Sequence, residues 1–175
     1  MSAWTERGVP IIGLEPSCLL TLRDEFPALL PGLETSRLAA CAVLLEEFLA
    51  REHSAGKLHL TLKALPYKQA FLHGHCHQKA FAVMPAVQQV LSLIPELQVH
   101  TIESGCCGMA GAFGYEAEHY DVSMKMGELS LFPAVRAADA AALIIADGFS
   151  CRRQIDDGTG RKALHVAQVL AMALR

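Results

Sequence analysis

Six cysteines are spread over 175 residues, and two of them are adjacent: Cys106 and Cys107 sit in SGCCGMAGAFG, residues 104 to 114. Thiolates ligate soft and borderline metals and carry redox chemistry, so these are the first residues whose types and spacing could do chemistry. Neighbouring side chains on a strand point to opposite faces, so two consecutive thiols reach one target only if the backbone turns sharply. Glycine permits such a turn because it takes φ > 0 without steric cost. Gly105, Gly108 and Gly111 are therefore expected to shape a cofactor-binding loop.

The remaining cysteines are Cys18, Cys41, Cys76 and Cys151, and no pair has the C-x₂-C spacing common in structural zinc sites. Scattered thiolates on glycine-rich loops suit an iron–sulfur cluster, and helix N-termini after such loops favour an anionic group. Spacing alone leaves both iron–sulfur and zinc open. His73, His75 and His77 alternate around Cys76. On a strand the three rings would share the face opposite the thiol. The simpler reading is that His75 and His77 orient the loop by hydrogen bonds; if zinc binds, His77 is the expected extra ligand. Arg152 and Arg153 follow Cys151 and could offset cluster charge or lie solvated at the surface.

Those residues need a scaffold. Apolar strand runs are expected at 9–14, 69–73, 98–102 and 141–146, with a weaker alternating run at 58–62. Helical spacing is expected at 19–26 (capped by Ser17), 35–51, 79–93 with an interruption at Pro85, 116–129, after Pro133, and 163–174. Pro27 to Gly32 is a break. Met109, Met124 and Met126 are expected in packing, Glu116 at a helix start, and His165 as the cap of the last helix. Alternating strands and helices predict an α/β fold with Rossmann-like parallel-sheet layers and helices on both faces. Loops at the carboxyl ends of parallel strands gather at one edge. That places Cys18, Cys76, Cys106, Cys107 and Cys151 there, and leaves Cys41 as a small core residue within a helix.

Composition narrows the function. The chain is 52% hydrophobic and 19% charged with net charge −3, which describes a globular protein and gives no electrostatic case for nucleic acid. No run approaches the length of a membrane span and no secretory signal opens the chain, so a cytoplasmic location is expected. Six cysteines there point to metal or redox chemistry and not to a disulfide framework.

The motifs together carry a resemblance. GHCHQKA (74–80), ESGCCGMAGAFGYEAEHYDVSMKMGEL (103–129), IIADGFSCRRQI (144–155) and ALHVAQVL (163–170) resemble the second half of the cysteine-rich CCG region. That region occurs in FAD/FMN-containing dehydrogenases, in the iron–sulfur component of glycolate oxidase and in heterodisulfide reductase. The chain is most similar to the C-terminal part of long FAD-linked dehydrogenases of D-2-hydroxy acids, from about Leu72 onward. GLEPSCLLTLRDEFPAL (13–29) resembles the end of a preceding CCG half.

The resemblance implies a remnant of the first half at 1–31 and the second half at 32–175, packed as one globular unit. It implies Cys76, Cys106, Cys107 and Cys151 as metal ligands, with Cys18 as the terminal cysteine of the first half and a further candidate. It implies a 4Fe–4S type cluster that is easily lost from the isolated fragment, and FAD held upstream. The partners would be FAD-binding and ferredoxin-like domains and an acceptor such as a quinone, which would allow a peripheral place at the inner face of the membrane. Met1 would begin an excised C-terminal fragment that is not catalytic alone. Many CCG halves end in C-x-x-C; here position 148 is glycine, which implies four thiolates and not five.

Overall fold

The computed structural model describes residues 2–175, and Met1 lies outside them. Two compact units divide between His59 and Leu60. This boundary falls well past the Pro27–Gly32 break, so residues 32–59 pack with the first unit and not with the second.

In the first unit, a helical turn α1 (Ser2–Thr5) precedes β1 (Ile11–Gly13), then α2 (Pro16–Leu20), α3 (Glu25–Leu29) and α4 (Leu33–Cys41). Next come β2 (Ala42–Leu44) and α5 (Leu45–Ser54). β1 and β2 pair in parallel, Ile11 opposite Ala42 and Gly13 opposite Leu44. The long helix expected at 35–51 is thus cut by a strand. Ala42 and Leu44 are buried in that strand, and Glu47 Oε2 accepts from the Leu44 N–H at 2.9 Å to restart the helix behind it. Cys41 ends α4 and is buried, as expected. α3 runs through Pro27, which a helix tolerates in its first turn.

The second unit holds β3 (Gln69–His73), α6 (Cys76–Ala80), α7 (Met84–Leu91) and β4 (Gln98–Thr101). After the double-cysteine loop follow α8 (Tyr120–Glu128), α9 (Leu131–Ala137), β5 (Leu143–Ala146), α10 (Phe149–Thr159), β6 (Ala163–Leu164) and α11 (Val166–Ala173). The strands lie in the order β4–β3–β5–β6. All three pairings are parallel. The α/β parallel-sheet fold read from the sequence is the observed one.

Register explains why the site lies where it does. Leu72 pairs with Thr101 on one side and Ile145 on the other, so β3, β4 and β5 end almost level. The chain leaves β3 toward one neighbour and returns to β5 on the opposite side. Such a reversal opens a crevice at the carboxyl ends, where α/β sheets bind ligands. Behind it, β5 is buried along its whole length (Leu143–Ala146), and Phe132 fills the core beneath α8 and α10.

Further expectations miss by local effects; the helix expected at 19–26 with Ser17 as cap is instead α2 and α3, and Glu15 stands at the N-cap of α2. The run at 58–62 is not a strand, and only Leu62 makes an isolated bridge, to Leu174. The helix expected from 116 starts at Tyr120; Glu116 lies ahead of it and bonds His119 Nδ1 at 2.6 Å. The closing helix starts at Val166, because Ala163 and Leu164 pair with Ile144 and Ile145 as a short strand.

Candidate metal centre

Each strand end delivers its cysteine by a different device. After β3, Gly74 leads to His75, whose Nδ1 accepts from the His77 N–H at 3.2 Å while its own N–H donates to Gln78 Oε1 at 3.0 Å. This capping box starts α6 with Cys76 at its first position. His73 is the last strand residue, and His75 and His77 flank the helix start, so the three imidazoles do not share a strand face. Gln78 Nε2 in turn donates to Asp147 Oδ2 at 2.7 Å, and Asp147 Oδ1 accepts from the Val166 N–H at 3.0 Å. A second box of the same kind starts α11, where His165 Nδ1 accepts from the Ala167 N–H at 2.9 Å, as the expected capping role requires. Both boxes read His-x-x-Gln, with an imidazole where Ser or Thr is usual.

After β4 the chain turns at 103–111. The half-buried Lys79 ammonium donates to the Ser104 carbonyl and, at 3.1 Å, to the Gly105 carbonyl, tying this turn to α6. Gly108 has φ +104°, and a Cβ there would stand 2.2 Å from the Ser123 carbonyl oxygen. Its N–H donates to Cys106 Sγ at 3.4 Å. Gly111 also has φ > 0, whereas Gly105 is not in the left-handed region.

After β5, Gly148 caps α10 and Cys151 is its third residue, facing the positive end of an 11-residue helix. A Cβ at 148 would lie 2.5 Å from His75 Cδ2 and 3.1 Å from Cys151 Sγ. A thiol at that position, as in C-x-x-C, has no room. Arg152 bonds the carbonyls of Ala146 (3.1 Å) and Asp147, steadying the strand end, while Arg153 pairs with Asp157 at the surface.

The four thiols meet in one contiguous row: Cys76 against Cys106, Cys106 against Cys107, and Cys107 against Cys151. Exposure falls along it, from exposed Cys76 to Cys107 and Cys151 at 4% and 2%. None of the four is in a disulfide. Hydrogen bonds from Cys107 and Cys76 hold Cys106 far below an ordinary thiol pKa, and a bond from Cys107 does the same for Cys151. Cys76 and Cys107 are pushed far upward by bonding to Cys106, with burial adding to both. Lowered and raised groups alternate along the row, as expected when crowded like charges cannot all ionise.

One more donor joins the row. A ring nitrogen of His73 lies within 4.8 Å of the sulfurs of both Cys107 and Cys151, and the ring is 1% exposed. His77, the sequence candidate, stands outside this group. No pattern in the sequence singles out His73; its distinguishing signal is its place as the last residue of the strand that feeds α6. Cys18 lies in the first unit, exposed, at the third position of α2. Cys151 holds the same position in α10, and each follows a serine.

This donor set fits a metal centre. It offers four sulfurs, an imidazole, backbone N–H donors and a nearby ammonium, with a glycine at 148 where a Cβ would crowd the Cys151 sulfur. Fold and site together define a cysteine-rich α/β domain whose thiols gather at the carboxyl ends of a parallel sheet.

Comparison with known proteins agrees. Over 168 residues, 96% of its length, the chain is 32% identical to a component of the anaerobic glycerol-3-phosphate dehydrogenase of Escherichia coli K12, spanning 41% of that polypeptide. It is 31% identical to D-2-hydroxyglutarate dehydrogenase of Pseudomonas putida and 29% identical to that of Escherichia coli K12, spanning 16% and 15% of their lengths. The similarity to these dehydrogenase polypeptides thus extends over nearly the whole chain, and not only from Leu72 onward. The chain spans less than half the length of these relatives. No family model and no solved structure matches it.

Proposed function

We propose that this chain is the iron–sulfur electron-transfer domain of a FAD-linked dehydrogenase that oxidises a D-2-hydroxy acid of the D-2-hydroxyglutarate, D-lactate or glycolate type. The observation that carries the reading is the row of four thiols assembled from three adjacent strand ends. Cys76, Cys106, Cys107 and Cys151 would hold the cluster. When bound, it would supply single-electron transfer between flavin and ferredoxin-like domains upstream and an acceptor such as a quinone. The chain's own residues prepare that role. Lys79 places a cation beside the sulfurs, and the thiolates oppose the lowering of its pKa by burial. The Gly108 N–H bonds one sulfur, and burial of Cys107 and Cys151 excludes water from the inner half of the site. Such contacts set the potential of a cluster.

Residues 1–31 fit the remnant of a first CCG half, with Cys18 as its terminal thiol; the matching placement of Cys18 and Cys151 supports this. The relative named for glycerol 3-phosphate offers a second substrate class for the parent. A cytoplasmic site, with no helix among the described residues long and apolar enough to cross a membrane, fits docking to an acceptor from one side.

A second reading, a zinc-stabilised structural module, is favoured by one observation: the compactness of His73, Cys107 and Cys151. Tetrahedral zinc with Zn–S of about 2.3 Å sets donors about 3.8 Å apart, and these three lie within 4.8 Å. Anaerobic reconstitution with iron and sulfide separates the two. Bound iron and sulfide with visible charge-transfer absorbance support the first reading. Stoichiometric zinc, with iron and sulfide refused, supports the second.

A further inference from the structure

The donor row ends in a residue that a thiol-based description leaves out. His73 Nδ1 lies 2.8 Å from Ser104 Oγ, and that hydroxyl is itself 3.4 Å from the Ile102 carbonyl oxygen. When the serine proton is turned to that carbonyl, Ser104 Oγ accepts from His73 Nδ1. In that tautomer Nδ1 carries the imidazole proton and Nε2 presents its lone pair, the form that a metal takes. Nε2 is buried and faces Cys151, whose thiol pKa the ring helps the Cys107 bond to lower. With Nδ1 engaged, Nε2 is the nitrogen left for the sulfurs of Cys107 and Cys151, within 4.8 Å. An imidazole held by a hydroxyl through Nδ1, with Nε2 facing the sulfurs, is the arrangement of a metal-ligating histidine. Its position on β3 is fixed by pairing with Ala146.

We propose that His73 is a direct ligand of the centre, binding metal through Nε2 beside the sulfurs of Cys107 and Cys151. The assignment rests on the metal-centre reading above. Of the five donors in the row, only four can each terminate an iron of a 4Fe–4S cluster. His73 would therefore bind in place of one thiolate, an exchange that raises the reduction potential. The buried end of the donor row would therefore be the one that makes this centre easier to reduce.

The test uses the full chain, reconstituted anaerobically with iron and sulfide and then reduced. Pulsed electron paramagnetic resonance should show the coupling of a directly bound nitrogen. In His73→Cys, iron and sulfide content should persist, the nitrogen coupling should vanish and the potential should fall. In His73→Ala, metal content should drop at least several-fold, with a circular dichroism spectrum of the apoprotein like that of the parent. A loaded cluster with no such nitrogen coupling, or a His73→Cys protein with an unchanged spectrum and potential, overturns the ligand assignment and leaves the cluster reading standing. Failure to take up iron and sulfide sinks the cluster reading instead. If zinc alone binds, the assignment stands only if His73→Ala weakens zinc binding at least tenfold. If no metal binds, both fall.

Discussion

The proton inventory of the sulfur row has a direct consequence. Cys106 and Cys151 are biased toward the thiolate, while bonding to Cys106 biases Cys76 and Cys107 toward the protonated form. A metal that engages all four must expel the two remaining protons. The raised groups lose protons only on binding, so affinity increases with pH, by up to about a hundredfold per pH unit for two protons. Calorimetry with zinc as probe, in two buffers of different ionisation enthalpy, should report a release of about two protons. A pH-independent affinity would contradict the coupled row. Substitution separates the cysteines further. Cys107→Ser, which removes the thiol at the middle of the row, should cut metal content sharply. Cys41→Ser, at a core thiol whose Sγ lies 3.7 Å from the Thr5 carbonyl, should leave it unchanged. Equal metal content in the two variants would count against the assignment.

At the scale of elements, the loop after β4 is locked by glycine geometry. Gly108→Ala sets a Cβ against the Ser123 carbonyl at a φ unfavourable to alanine, and should cost ~2 kcal/mol or more, read by urea unfolding. Gly105→Ala, where nothing lies within 4 Å of the added carbon, should cost little. Similarly, a Cβ at Gly127 of α8 or Gly158 of α10 would stand 2.3 or 2.4 Å from the buried Phe132 ring, so these glycines let both helices close on it. Phe132→Ala should destabilise the second unit by about 3–5 kcal/mol.

The same scale shows what is legible in the sequence. The strands at 69–73, 98–102 and 141–146 are readable because each is a short apolar run followed by turn residues, and together they fix where the thiols gather. β2 is not readable: the apolar run AVLL at 42–45 satisfies a helical stripe as well as a strand, and pairing with β1 decides between them. α10 escapes a sequence reading because FSCRRQIDDGT is polar and lacks a strong cap, yet its buried Cys151, Gln154 and Ile155 recur at helical spacing. His73 is one of an alternating trio in sequence. Only the end of β3, which stops the alternation there, sets it apart from His75 and His77.

For the whole molecule, every donor of the row lies in the unit from Leu60 to Arg175. Limited trypsin digestion at exposed Lys57 should therefore leave a fragment that retains its metal; loss of metal on cleavage there would show that the centre needs the first unit. The proposed role depends on four thiols acting as one binding site. What probes this at first hand is the iron and acid-labile sulfide content of the anaerobically reconstituted chain, measured with its visible spectrum before and after reduction. Iron and sulfide are expected in equal amounts, about four of each per chain for a 4Fe–4S cluster, with an absorbance that bleaches on reduction. A chain that stays colourless and binds neither, while its thiols remain reduced, would refute the shared site.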